Sequence, residues 1–143
     1  MRIDEMIDAL IEAHPHTNSD FGSYVVERSR SGFHHTWSSR IEVLRRGFRV
    51  SPASETVSQK FDQLVDVRNA IAHGDGHLTT LQTSRTAAGI DLRRNIEKTF
   101  GIVVAGRKLH LNPMAGMIGT RVARDYLLAV DVEYSKALLQ IGR

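Results

Sequence analysis

The stretch FDQLVDVRNAIAHGDG, residues 61–76, sets the fold and frames the functional question. Phe61, Leu64, Val65, Ile71 and Ala72 recur at helical spacing, so the segment is predicted to be an amphipathic helix. It begins near Ser54 or Glu55, runs to about Ala72, and is ended by Gly74 and Gly76. Arg68 falls on the same stripe, where Leu or Ile would be expected. A guanidinium does not lose its charge, so at such a position it needs a partner, a ligand or a subunit interface. His73 lies five residues further on. At about 100° per residue it points roughly 140° away from Arg68, so one ideal helix does not bring the two side chains together. Asn69 and Asp66, one and two turns before His73, are the candidate residues to orient its imidazole. Gly74 is the expected left-handed residue of the helix end, which would let the last turn unwind and His73 swing.

Working outward, residues 3–13, IDEMIDALIEA, place Ile3, Met6, Ile7, Leu10 and Ile11 on one helical stripe. Asp4, Glu5, Asp8 and Glu12 form the other side, which reads as a solvated acidic face. Pro15 follows, with Thr17, Asn18 and Ser19 as a loop and cap. A second helical stretch spans about 20–47, with a kink expected at Ser31-Gly32. Phe33, Trp37, Ile41, Leu44 and Phe48 form its core-facing stripe. Residues 50–54 (VSPAS) are a break. Residues 85–99 form a further helix anchored by Ile90 and Ile96. GIVVAGRKLHLN, 101–112, reads as a hairpin turning around Ala105-Gly106-Arg107. Pro113 opens a last helix over 114–140, with Ile118, Val122, Tyr126, Leu127, Val130, Tyr134 and Leu138 as its stripe. The expected fold is mainly α: a four- to five-helix bundle with one small β-hairpin near 101–112, in a single domain of residues 1–143.

The 143 residues suffice for a core without staples, and the absence of Cys excludes disulfides and thiolate metal sites. No apolar run is long enough for a bilayer, and the N-terminus, MRIDEM, does not read as a signal peptide. A cytoplasmic protein is therefore the expectation. Net charge is +3, and most of the base is Arg in clusters: Arg28 and Arg30; Arg40, Arg45, Arg46 and Arg49; Arg93 and Arg94; Arg121 and Arg124. Arg45, Arg46 and Arg49 form a candidate RNA-binding patch, because guanidinium groups suit bidentate phosphate contact. His73 and His77 are separated by two glycines that interrupt a helix and have no evident third ligand, so no metal site is expected. His14, His16, His34 and His35 read as surface or core histidines rather than ligands. No phosphate-binding Gly loop and no Ser-His-Asp order is present.

Arg68-Asn69-Ala70-Ile71-Ala72-His73 resembles the signature of HEPN domains: an Arg, four to six residues, then His, often with a polar residue directly after the Arg. The form followed by Gly74 resembles the RiboL-PSP-like HEPN branch. The resemblance covers about residues 20–140. It implies a four- or five-helix domain that forms a homodimer, with the motif helices of two protomers meeting near the two-fold axis. Each protomer would contribute one Arg and one His to a composite cleft. It further implies a metal-independent endoribonuclease without a cofactor, acting on single-stranded RNA as a toxin or antiviral defence effector, with an antitoxin protein as a further partner. Arg68 and His73 would be catalytic and Asn69 supporting. The alternative is a non-catalytic HEPN-type module that binds RNA, a nucleotide or a protein. In some relatives a Tyr follows the His after one variable residue. Here Gly74-Asp75 follow His73, so no tyrosine modification site carries over.

Overall fold

A computed structural model of the chain describes residues 3–52, 54–83 and 86–141. Ala53 in the expected break and Arg85 at the expected start of the fourth helix lie outside them, as do the first two residues. The protein is mainly helical with one small antiparallel hairpin, as the sequence patterning predicts. Its residues group into two compact units. One holds the N-terminal segment to residue 53 together with residues 128–143, and the other holds 54–127.

In the first unit, α1 (Ile3–Ala13) buries the five apolar residues of its predicted stripe. Each such side chain contributes roughly 1.5–3 kcal/mol by leaving water. A short 3₁₀ turn over Pro15–Asn18 follows, tied back by the Thr17 hydroxyl, which donates to the carbonyls of Ile11 and His14, each at 2.6 Å. Ser19 caps α2 (Asp20–Phe33), accepting from the Gly22 amide at 3.1 Å.

The expected long second helix is two helices. The break falls at His34–Thr36, not at Ser31-Gly32, because Thr36 accepts from the Ser39 amide at 3.0 Å and starts α3 (Trp37–Glu42) afresh. A π-helical turn over Val43–Gly47 follows. Within the predicted stripe only Leu44 is fully buried, while Phe33, Trp37, Ile41 and Phe48 are half-buried.

The acidic side of α1 is also not simply solvated. Asp4 accepts from Arg40 Nε at 2.6 Å and contacts His34 Nδ1 at 2.9 Å. Asp8 accepts from Arg30 at 3.1 Å and lies 3.4 Å from His34 Nε2. Bonds from Arg40, and then from His34, hold the Asp4 carboxyl at about 2.

In the second unit, α4 (Glu55–Gly74) buries Phe61, Val67 and Ala70. Of the residues expected on its buried side, Phe61 is buried and Leu64 and Val65 are half-buried, while Ile71 is 47% exposed. The Phe61 ring stacks on Tyr126 of the last helix, with centroids 4.0 Å apart. A Cβ added at Gly119 of that helix would stand 3.1 Å from Leu64 Cδ1, so the absent side chain permits a close approach to α4. After the one-turn α5 (Thr80–Thr83), α6 (Thr86–Phe100) buries Ile96 and Phe100, whereas Ile90, an expected anchor, is exposed.

The hairpin joins β1 (Val103–Ala105) to β2 (Lys108–His110) in the register Val103↔His110, Val104↔Leu109, Ala105↔Lys108. Val104 and Leu109 are buried and their neighbours exposed, the alternation of a one-sided ribbon. Gly106, at φ 62°, supplies the positive φ that the first turn position needs. Asn112 then fixes the start of α7 (Ala115–Ile141). Its amide nitrogen donates to the carbonyls of Gly101 (2.6 Å) and Phe100 (3.3 Å), and its oxygen accepts from the Met114 amide at 2.7 Å. Along α7, Val122, Tyr126, Val130 and Tyr134 of the predicted stripe are buried, while Leu127 is exposed.

Candidate functional site

The end of α4 carries the site. The helix runs on through Gly74, and the left-handed residue is Asp75 (φ 49°), not Gly74 as expected. The amides of Asp75 and Gly76 both donate to the carbonyl of Ala70, and Gly76 is also left-handed at φ 76°. The last turn is therefore closed and helical, and His73 sits on it without unwinding. The chain beyond is held by the hairpin. The Leu78 amide donates to the Arg107 carbonyl at 2.8 Å, the Leu109 amide to the Gly76 carbonyl at 2.8 Å, and Arg107 Nε to the Leu78 carbonyl at 2.7 Å.

On this turn Arg68 Nη1 stands 3.3 Å from His73 Nε2 and donates to Asn69 Oδ1 at 3.1 Å. This corrects the expectation that one helix keeps Arg68 and His73 apart. Angle around the helix axis alone does not fix where two side-chain ends meet. A helical side chain leans toward the N-terminus, so the imidazole tilts back while the long Arg reaches down to meet it. A guanidinium can only donate, so His73 Nε2 accepts in this contact. The contact thus belongs to the neutral ring with its proton on Nδ1. Asn69 is half-buried, and Arg68 and His73 are exposed.

Arg68 also lines an open groove of about 510 Å³ within this unit, walled by Leu64, Ile71, Ile102, Leu111 and the glycines Gly116 and Gly119. Among the described residues of that wall, Arg68 is the one with a charge. Its place on the apolar stripe is thus real, but the stripe faces solvent there.

Not every residue singled out in the sequence gathers at this point. Asp66 is committed to Gln82, whose Nε2 donates to its Oδ1 at 2.9 Å and to its carbonyl at 3.1 Å. Asn69 contacts Arg68 rather than the imidazole. Arg45, Arg46 and Arg49 belong to the other unit. All three are exposed, Arg46 pairs with Glu42 at 3.0 Å, and Arg49 is left-handed at φ 57°. His77 turns its Nδ1 toward the Asp75 carbonyl at 3.0 Å. Among the described residues no group of three or more His, Asp or Glu stands together as metal ligands do, and no helix is long and apolar enough to cross a membrane.

Sequence reasoning overlooked a second groove, where Lys60, Lys98 and Arg121 meet from α4, α6 and α7. Their spacing along the chain carries no signal, because only the packing of three helices brings them together. Comparison of the chain with known protein families, curated proteins and solved structures finds no match.

Proposed function

We propose that the protein is a metal-independent endoribonuclease that cleaves single-stranded RNA through Arg68 and His73. The observation that carries this reading is the 3.3 Å contact between an exposed guanidinium and an exposed imidazole on one closed helical turn. RNA contains its own nucleophile. The 2′-oxygen attacks the adjacent phosphorus, the O2′–P bond forms, the P–O5′ bond breaks, and a 2′,3′-cyclic phosphate and a 5′-hydroxyl result. One imidazole takes the 2′-hydroxyl proton, and a protonated one gives a proton to the departing 5′-oxygen. Arg68 keeps its charge throughout and steadies the extra negative charge on the phosphoryl oxygens. A phosphate entering between Arg68 and His73 replaces their mutual contact and frees Nε2 for the proton transfer.

Two imidazoles in two protonation states suit a homodimer in which each copy supplies one Arg and one His. The exposed Ile71 and Ala72 beside Arg68 are compatible with such a seam. In this reading Asn69 orients Arg68, while Arg45, Arg46 and Arg49 are a separate RNA-binding patch on the first unit, and the protein acts as a toxin or defence effector restrained by an antitoxin protein.

The test is cleavage of a labelled single-stranded RNA in the presence of EDTA by wild type, Arg68→Ala and His73→Ala. Only the wild type is expected to cut, leaving cyclic phosphate ends, with the oligomeric state of all three the same. Cleavage by both variants at the wild-type rate would sink the proposal. RNA binding by a wild type that does not cut would make the protein a non-catalytic binding module instead.

A further inference from the structure

The groove between α4, α6 and α7 has a volume of about 550 Å³ and lies wholly within the second unit. Three cations line it: Lys60, Lys98 and Arg121. Among the described residues none of the three has an ion pair or a side-chain hydrogen bond. Three like charges around one groove repel one another unless an anion lies between them. The one carboxylate in the wall, Asp125, accepts from Arg124 Nη2 at 3.0 Å on Oδ1 and offsets one of the three positive charges, so the wall keeps an excess of positive charge. The Asn95 amide adds hydrogen-bonding capacity, and Ile118 and Val122 give the groove an apolar floor. Cations with amides over an apolar floor match a ligand that carries phosphates and flat rings together.

The geometry points to this groove as a binding track for the phosphate backbone of a single-stranded RNA, leading away from Arg68. Lys60 and Arg68 are both on α4, eight residues apart. That is about 12 Å along the helix and roughly 80° around it, a distance that roughly two to four nucleotides of a strand can span. A strand with its scissile phosphate at Arg68 would therefore lay its next phosphates against Lys60, Lys98 and Arg121. The assignment of the ligand as RNA rests on the endoribonuclease reading, whereas the convergence of the three cations does not.

The experiment measures binding of a fluorescein-labelled single-stranded RNA, made uncleavable by 2′-O-methyl groups, across a potassium chloride series. Each neutralised phosphate contributes about 0.7 to the slope of log K against log salt for a single strand. The triple variant Lys60→Gln, Lys98→Gln, Arg121→Gln is expected to lower that slope by about 2 and Lys98→Gln alone by about 0.7. RNA is also expected to shield Lys60 and Lys98 of the wild type from acetylation, a readout that does not depend on the triple variant folding. An unchanged slope in a folded triple variant overturns the proposal. So does shielding of the two lysines by polyglutamate but not by RNA, or saturable binding of inorganic triphosphate at these lysines with no loss of RNA affinity in the triple variant. A lowered slope without cleavage by the wild type would leave the groove standing and remove the nuclease reading. His73-dependent cleavage with an unchanged slope would do the reverse.

Discussion

Replacing Arg68 by Lys keeps the positive charge and removes the geometry. In the protein one nitrogen, Nη1, serves both Asn69 Oδ1 (3.1 Å) and His73 Nε2 (3.3 Å), leaving Nη2 and Nε for a phosphate. A lysine has one nitrogen on a flexible stem. It cannot keep its bond to Asn69 while offering a phosphate a flat two-donor edge. Losing one preorganised donor to a developing oxyanion lowers kcat by about 10²–10³-fold, or about 3–4 kcal/mol. Arg68 is exposed, so the same change should alter folding stability by less than about 0.5 kcal/mol. The assay pairs single-turnover cleavage of a fluorogenic RNA with urea unfolding of the same preparation. A cleavage rate equal to wild type would show that charge alone suffices and that the fork of contacts is irrelevant. A rate loss matched by unfolding would show that Arg68 acts through the fold.

Two further expectations concern stability. Asp4 has its carboxyl lowered from 3.8 to about 2, so its bonds to Arg40 and His34 stabilise the protein above about pH 4, and that contribution disappears as pH falls through 2. With a side chain 40% exposed the contribution is about 1 kcal/mol after solvent screening. The gap in urea midpoint between wild type and Asp4→Asn should therefore close in that window, and a gap that ignores pH would contradict the ion-pair account. Asn112→Ala removes two donated bonds and one accepted bond at the start of α7 and should cost about 2 kcal/mol. Asn112→Asp keeps only the acceptor for Met114 and should recover part of this in urea unfolding. An alanine variant as stable as wild type would show that Phe100, Gly101 and Met114 find equivalent partners in water.

Much of the fold can be read from the sequence where apolar residues are few and cleanly spaced. Ile3, Met6, Ile7, Leu10 and Ile11 leave α1 one way to face, and Ala105-Gly106-Arg107 leaves the hairpin one place to turn. On α4 the signal blurs. Leu64, Val65, Val67, Ala70, Ile71 and Ala72 spread over roughly 220° of the helix, so periodicity alone could not show that Val67 and Ala70 are buried and Ile71 is exposed. Ala70 is fully buried although a lone alanine carries little apolar signal, so its burial is a property of packing rather than of the residue. The left-handed residue falls at Asp75, one position beyond the expected Gly74, because Asp, like Gly, tolerates that region. Of the site, the identities of Arg68, Asn69 and His73 stood out from the chain. Their contact did not, because it depends on side-chain reach rather than on angle around the helix. Lys60, Lys98 and Arg121 were invisible for a different reason, being neighbours only after three helices pack.

The membership of α7 in both units has a consequence for chain entropy. Residues 54–127 are contiguous, so the second unit forms from contacts within one stretch of chain. The first unit is split. Its N-terminal segment needs residues from 128 onward before the contacts of that unit are complete. Closing that long intervening loop carries an entropic cost that local helix contacts do not. The unit bearing Arg68 and His73 closes without that cost, whereas the first unit bears it in bringing its two separated segments together.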